Sequence, residues 1–290
     1  EAGDSYGDVD NLLGSGPFKV TEWVPNDHYT LVRNDNYWGE MPIATSITCR
    51  VIPEGSARTI ALEAGEIDVV WSVDPTDCAN VESNPDVKLL SQPSTGIDYV
   101  GMNTQKEKFS DKRVRQAINY ALDKQTFVDT IIEGRGLVAN SYINAAIPGW
   151  TDEVEAYPYD PEKAKELLAE AGYPDGFKLS ISIPENRSKH AQIIQSDLSK
   201  IGIELKIDII ETGKFWDDLE NLDYEMMIMG WSYMVMDPDV GYYSLYKKDD
   251  MAGNYTGFGN KETDGLLAAG RTETDQKKRA EIYAELEKIV

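Results

Sequence analysis

Between residues 178 and 210 the apolar pattern changes period twice, and no other stretch constrains the fold as strongly. Residues 178–183 alternate apolar and polar side chains at a period of two, the pattern of a strand with one covered face. Residues 188–200 place Ile193, Ile194 and Leu198 along one stripe of a helix, which Gly202 ends. The period-two alternation returns over 203–210. A strand, a helix of about three turns and a second strand bring the chain back in the same direction, predicting a parallel pair with a right-handed crossover. The chain is therefore expected to be α/β.

Its flanks divide into two characters. The first hundred residues read as strands at 29–33 and 45–53 and a helix over 56–64, with Ser56 as N-cap and Gly65 as its stop. A short buried strand at 67–71 and an extended segment at 98–103 complete this part. After Gln105, Ser110 caps a helix whose Val114, Ala117, Ile118, Ala121 and Leu122 share one face. Phe127, Ile131 and Ile132 form a second stripe ending at Gly134. Asp160 and Pro161 open another helix, with Ala164, Leu167, Leu168 and Ala171 inward and Gly172 at its end. Beyond the βαβ unit come a short helix at 215–222, a strand at 224–230 and a final helix capped by Thr274, with Ile282, Leu286 and Ile289 inward. That helix is still periodic where the sequence stops, which reads as a chain that has been cut. Two α/β lobes are expected.

Composition narrows the function classes. With 41% hydrophobic residues the 290-residue chain can build cores, and a net charge of −23 disfavours nucleic acid or an anionic membrane as primary partner. No apolar run reaches the length needed to span a bilayer, and no basic-then-apolar leader opens the chain, so an export signal would lie outside it. Cys49 and Cys78 allow a buried free thiol or one disulfide. His28 and His190 stand alone, so no zinc or copper site is expected. No phosphate-binding glycine loop or nucleophile elbow occurs, and no cofactor is expected. Asn186-Arg187-Ser188 and Asn254-Tyr255-Thr256 match the glycosylation pattern weakly.

Several motifs occur in order. Gly14-Ser15-Gly16-Pro17-Phe18-Lys19, Trp23 and then Arg33-Asn34 with Tyr37-Trp38-Gly39 come first. The segments 50–68, 109–124 and 159–176, the Gly230-Trp231 and Asp237-Pro238 pairs, and Asn254-Tyr255 follow. Together they resemble the extracellular solute-binding proteins that serve peptide- and nickel-type ABC importers, family 5. The resemblance implies a periplasmic-binding-protein-like type II fold, two lobes around a cleft. On that plan residues 1–103 are part of lobe 1 and residues 104–290 nearly all of lobe 2. The N-terminal subdomain and the C-terminal return to lobe 1 have no counterpart, and Glu1 to Asp10 match no motif. Asn103 falls at the hinge. The implied role is capture of a peptide or peptide-like solute without chemistry, and delivery to the permease subunits of an ABC importer. The implied setting is the periplasm or the outer face of the membrane, as a monomer held there by a lipid anchor on the whole protein.

The same resemblance places the ligand. In the peptide-binding branch the segment after Gly-Trp carries an Asp that pairs with the ligand ammonium, and here Met234 occupies that place. A thioether cannot pair with an ammonium, which points toward a less charged solute. Trp231, Ser232, Tyr233, Met234 and Asp237 are the expected contacts, joined by Tyr99, with Met236 and Trp216 as further apolar surface. Residues 226–229 read as the core of a buried strand. Asp237 and Asp239 flank Pro238 and read as a turn, the competing readings being a general acid–base pair of the glycosidase kind or a site for a hard cation. The alternative ligands are an oligosaccharide or another uncharged or hydrophobic molecule, and the alternative role is sensory binding.

Overall fold

The computed structural model describes residues 9, 12, 14–154, 156–247 and 253–290, so residues 1–8 and 10, where no motif was found, lie outside it. The chain forms two compact units, Glu1–Leu90 and Ser91–Val290. This division precedes the expected boundary at Asn103.

In the first unit β1 (Phe18–Val24), β2 (His28–Arg33) and β3 (Ser46–Arg50) make an antiparallel sheet in sequence order. Asn26 takes the left-handed conformation (φ 63°) in the turn between β1 and β2, which an Asn side chain tolerates. Helix α1 (Gly55–Glu63) ends, as expected, before Gly65 at φ 70°. Its N-cap is Glu54 rather than Ser56. The Arg58 guanidinium ties the surrounding loops by donating to the carbonyls of Ile52, Pro53 and Ser72. A short α2 (Cys78–Ser83) buries Cys78 and Val81. The expected buried strand at 67–71 is absent: the segment is irregular, and Trp71 is 90% exposed. A strand needs a neighbour for its backbone groups and a layer over its side chains, and among the described residues this segment has no ladder partner.

The second unit is built on a mixed sheet of β4 (Gly96–Met102), β5 (Lys178–Ile183), β6 (Glu204–Ile209) and β7 (Met226–Ser232), in the order β4-β7-β5-β6. Strand β5 runs parallel to β6, with Ile181 opposite Ile207, and parallel to β7. Strand β4 is antiparallel to β7, which places it in this unit rather than in the first. The helices are α3 (Glu107–Ser110), α4 (Lys112–Ala121), α5 (Lys124–Ile131), α6 (Pro161–Glu170), α7 (Ser188–Ser199), α8 (Thr212–Glu220), α9 (Pro238–Tyr246), α10 (Lys261–Thr272) and α11 (Gln276–Glu287).

Burial follows the expected periodicity here. Val114, Ile118, Leu168, Ile181, Ile194 and Leu198 form one core, and Met226 and Ile228 of β7 join it. Met227 and Met229, the alternate residues of β7, pack on Phe215, Leu219 and Tyr224 instead. Both faces of β7 are thus covered, which is why 226–229 is apolar without alternation. Asp160 caps α6 by accepting from the Lys163 amide at 2.9 Å. Two other caps differ by one residue from expectation. Asp111, not Ser110, accepts from the Arg113 amide, and Asp275, not Thr274, accepts from Lys277 and Lys278. A carboxylate is the better partner for the positive end of a helix. In α11 the fully buried residues are Tyr283, Leu286 and Glu287, with Ile282 and Ile289 only partly covered.

One glycine is demanded by the packing. Gly176 has φ 74°, and a Cβ there would lie 1.9 Å from the Gly202 carbonyl oxygen, so the turns entering β5 and β6 touch backbone to backbone. Both cysteines are free thiols, Cys78 buried and Cys49 half-buried. Among the described residues no helix is long and apolar enough to cross a membrane.

Candidate functional site

Strands β5 and β7 are parallel and β4 is antiparallel, so the carboxyl ends of β5 and β7 share one sheet edge with the amino end of β4. In open α/β sheets the carboxyl edge is where ligands bind, because loops and helix N-termini converge there. Arg187 arrives at this edge directly after β5, in a 3-10 turn over Glu185–Arg187 that leads into α7. Its guanidinium reaches over β7 to Asp98 of β4 and makes a two-pronged pair, Nη1 to Oδ2 at 3.0 Å and Nη2 to Oδ1 at 2.8 Å. Gly230 lies directly beneath, opposite Asp98 in the ladder. A Cβ on Gly230 would sit 2.6 Å from Asp98 Oδ1 and 3.3 Å from Arg187 Nη2, so the absent side chain makes room for the pair. Arg187 Nη1 also lies 3.3 Å from His190 Nε2. Burial, followed by the adjacent guanidinium, lowers the His190 pKa and keeps the ring neutral, able to accept that hydrogen bond.

On the opposite face of the same two strands stands an aromatic wall. Trp231 of β7 lies opposite Ile97, and Tyr99 of β4 opposite Met229. Tyr99 meets Tyr142 edge-on at 5.4 Å, and Tyr142 in turn contacts Tyr246 at 5.9 Å and Tyr233 at 6.4 Å. Burial holds the Tyr233 and Tyr242 hydroxyls well above the ordinary tyrosine pKa, so both remain neutral donors. Together with Trp231 Nε1 these hydroxyls are buried with no hydrogen-bond partner among the described residues. Unsatisfied donors cost about 1–3 kcal/mol each, so three in one cluster is a feature sites tolerate and plain cores avoid.

The expected contact residues separate into three kinds. Tyr99 and Trp231 are half-buried in the wall, and Ser232 is exposed at the end of β7. Tyr233 is buried, its carbonyl accepting from Thr95 Oγ1 at 2.9 Å and its ring packed in the aromatic cluster. Met234, by contrast, is 95% exposed, and Val235 and Met236 beside it are exposed as well. Trp216 is exposed on α8, 6.0 Å from Tyr255. Asp237 caps α9 by accepting from the Asp239 amide at 2.9 Å and pairs with Arg279 at 2.8 Å. Asp239 is held by both of its oxygens to Arg271 and accepts from the Tyr283 hydroxyl. Each carboxylate thus has its own arginine and a structural duty, the turn-forming use read from the sequence. Asn103 is fully buried, donating to the carbonyls of Leu222 and Tyr224 and accepting from the Gln105 amide. These bonds clamp Asn103 inside the second unit.

The Asp98–Arg187 pair and the tyrosines at 142, 242 and 246 were not singled out from the sequence. Arg187 was hidden inside a triplet read only as a glycosylation match, although it directly follows a strand and opens a helix. The other such triplet has Asn254 buried and donating to the Lys247 and Phe258 carbonyls. A lone acid opening the apolar run after Ile97 was the available signal for Asp98.

Residues 1–253 match the family model for bacterial extracellular solute-binding proteins, family 5 middle. The dipeptide-binding protein of Escherichia coli is 29% identical over 97% of this chain and 54% of its own length. Heme-binding protein A of Haemophilus influenzae is 32% identical over 96% of this chain and 52% of its own. Among solved structures, the periplasmic binding protein DppA of Helicobacter pylori, in complex with peptide STSA, superimposes with a TM-score of 0.88 at 32% identity, covering 95% of this chain and 55% of that one. The chain therefore spans about half the length of the relatives it matches. It belongs to the bacterial extracellular solute-binding proteins of family 5.

Proposed function

We propose that this chain forms part of a capture protein that holds a peptide or peptide-like solute against the carboxyl edge of the second sheet. The whole protein would pass that solute to an ABC permease at the outer face of the membrane. The observation that carries this reading is the exposed apolar run Met234-Val235-Met236, which leaves β7 beside the aromatic wall. Three large apolar side chains in sequence, free of any core, are costly to leave in water unless something covers them. Methionine suits varied apolar shapes because its unbranched, polarisable chain re-packs easily. One family member has been solved holding a peptide, which supports the same class of solute here.

On this reading the first unit contributes to lobe 1, and the second unit, β4 included, to lobe 2 of a protein that closes on its ligand. Binding shifts the population toward the closed form and no bond is made or broken. The protein would act as a monomer, anchored by lipid outside these residues. With Met234 at the place of the ammonium-pairing acid, an N-terminal ammonium buried there would lose its water without a partner, at a cost of several kcal/mol. The favoured solute is blocked or uncharged at its amino end. The glycosidase reading loses its support, because Asp237 and Asp239 are each paired with an arginine.

The test is calorimetric titration of the protein with one apolar tripeptide in free and N-acetylated forms. The acetylated form is expected to bind more tightly, and Met234→Asp to strengthen the free form by about tenfold, equivalent to 1.4 kcal/mol. Failure of both peptides to bind would overturn capture of a peptide at this edge. Binding without any response to Met234→Asp would remove that position from charge reading.

A further inference from the structure

We infer that Asp98 is a built-in counter-ion that closes Arg187 to carboxylates from solution. The geometry is that of a filled receptor. A guanidinium at the carboxyl edge of a sheet, at the start of a helix, is the group that would grip a solute carboxylate with two parallel hydrogen bonds. Here both prongs already hold a carboxylate of the same chain, at 2.8 and 3.0 Å, and His190 takes a further contact on Nη1.

The occupant is hard to displace. Asp98 sits within β4, where Gly230 opposite anchors its register, and Arg187 is fixed by the turn between β5 and α7. Two groups held by rigid elements meet at an effective concentration in the millimolar range or above, which a dissolved carboxylate has to exceed. Exchange of one carboxylate for another also gains no new hydrogen bond. The pair is asymmetric as well: the Arg187 side chain is 23% exposed and that of Asp98 53%. An approaching solute meets the acid first, and the chain's net charge of −23 adds to the repulsion of anions. The space for the pair is part of the sheet, since any side chain at position 230 would strike Asp98 at 2.6 Å. Deepening the proposed function, on which this consequence rests, the end of the solute lying at this edge is then amidated, esterified or otherwise neutral.

The experiment follows the Arg187 Nε–H signal in nitrogen-15 NMR, assigned with Arg187→Lys, while sodium acetate is added at constant ionic strength. In the wild-type chain the signal is expected not to saturate with acetate. Asp98→Asn is expected to give a saturable shift at least about tenfold tighter than any wild-type response. Asp98→Ser is a second variant in case the amide disturbs the ladder. Saturation of the wild-type signal at the same acetate concentration as the variants would overturn the inference, as would variants that fold and do not respond. A second arm titrates one tripeptide as free acid and as C-terminal amide. Wild type is expected to prefer the amide and Asp98→Asn the acid. If acetate behaves as expected but neither peptide binds, the counter-ion role stands and the peptide-capture reading fails.

Discussion

The two units use the same local grammar and reach opposite results. In the first, the sheet β1–β2–β3 leaves Trp23, Tyr29 and Ile47 exposed, and Ile43, Ile60, Val69, Trp71 and Leu90 lie open to solvent around it. In the second, alternation at the same period of two buries Leu179, Ile181 and Ile183 to within a few per cent. The difference is not in the strands. Helices α4, α6 and α7 supply a layer over the second sheet, whereas the buried clusters among the described residues include no side chain of the first. A strand pattern therefore specifies which side chains share a face, and only a second layer turns that face into a core.

The contrast can be broken by paired substitutions. Ile181→Ala removes a fully buried side chain and is expected to cost about 2–5 kcal/mol, whereas Trp71→Ala removes a larger but exposed one and should change stability by less than about 0.5 kcal/mol. Urea unfolding followed by hydrogen exchange in each unit would read both, and equal costs would refute the comparison. A smaller pair uses glycines. Gly176→Ala sets a Cβ against the Gly202 backbone at positive φ and is expected to cost about 2 kcal/mol or more. Gly16→Ala in the first unit meets nothing within 4 Å and should be close to neutral. The thermal shift of each variant suffices to compare them.

The smallest expected effect concerns a flaw inside the well-covered unit. Glu287 is buried, accepts from the Ser141 hydroxyl and the Thr151 amide, and is pushed by burial up to about 7. An acid whose pKa is raised by folding stabilises the fold most below its ordinary value, and that contribution is lost as pH rises through about 7. Glu287→Gln should therefore flatten the decline of Tm between about pH 5 and about pH 8. A variant that keeps the wild-type slope would show that Glu287 does not set it.

Much of the second unit was legible. The βαβ stretch and the apolar stripes of α4 and α6 depend on periodicity alone, and the structure reproduces them. Cap positions slipped by one residue where two polar residues adjoin, as at Ser110 and Asp111, because geometry and not residue type chooses between them. Helix α9 was missed although Asp237 and Pro238 open it just as Asp160 and Pro161 open α6. The strand expected at 67–71 failed because an apolar run cannot report whether a layer exists to bury it. Of the candidate site, Trp231 and the loop after it stand in a motif and were proposed from it. Asp98 and Arg187 could not: they stand 89 residues apart and meet only because β7 seats β4 and β5 at the same edge.

The placement of β4 has a consequence for synthesis. Thr95, just before β4, bonds to the Tyr233 carbonyl 138 residues later, and among the described residues the only ladder partner of β4 is β7. On the ribosome β4 emerges long before that partner exists, and it waits as an exposed, half-apolar edge while β5, β6 and their helix can already assemble. The last step of building this sheet is then the return of an early strand. Loop closure over such a span is slow, so the unpaired interval is when the nascent chain is most open to mispairing and to chaperones.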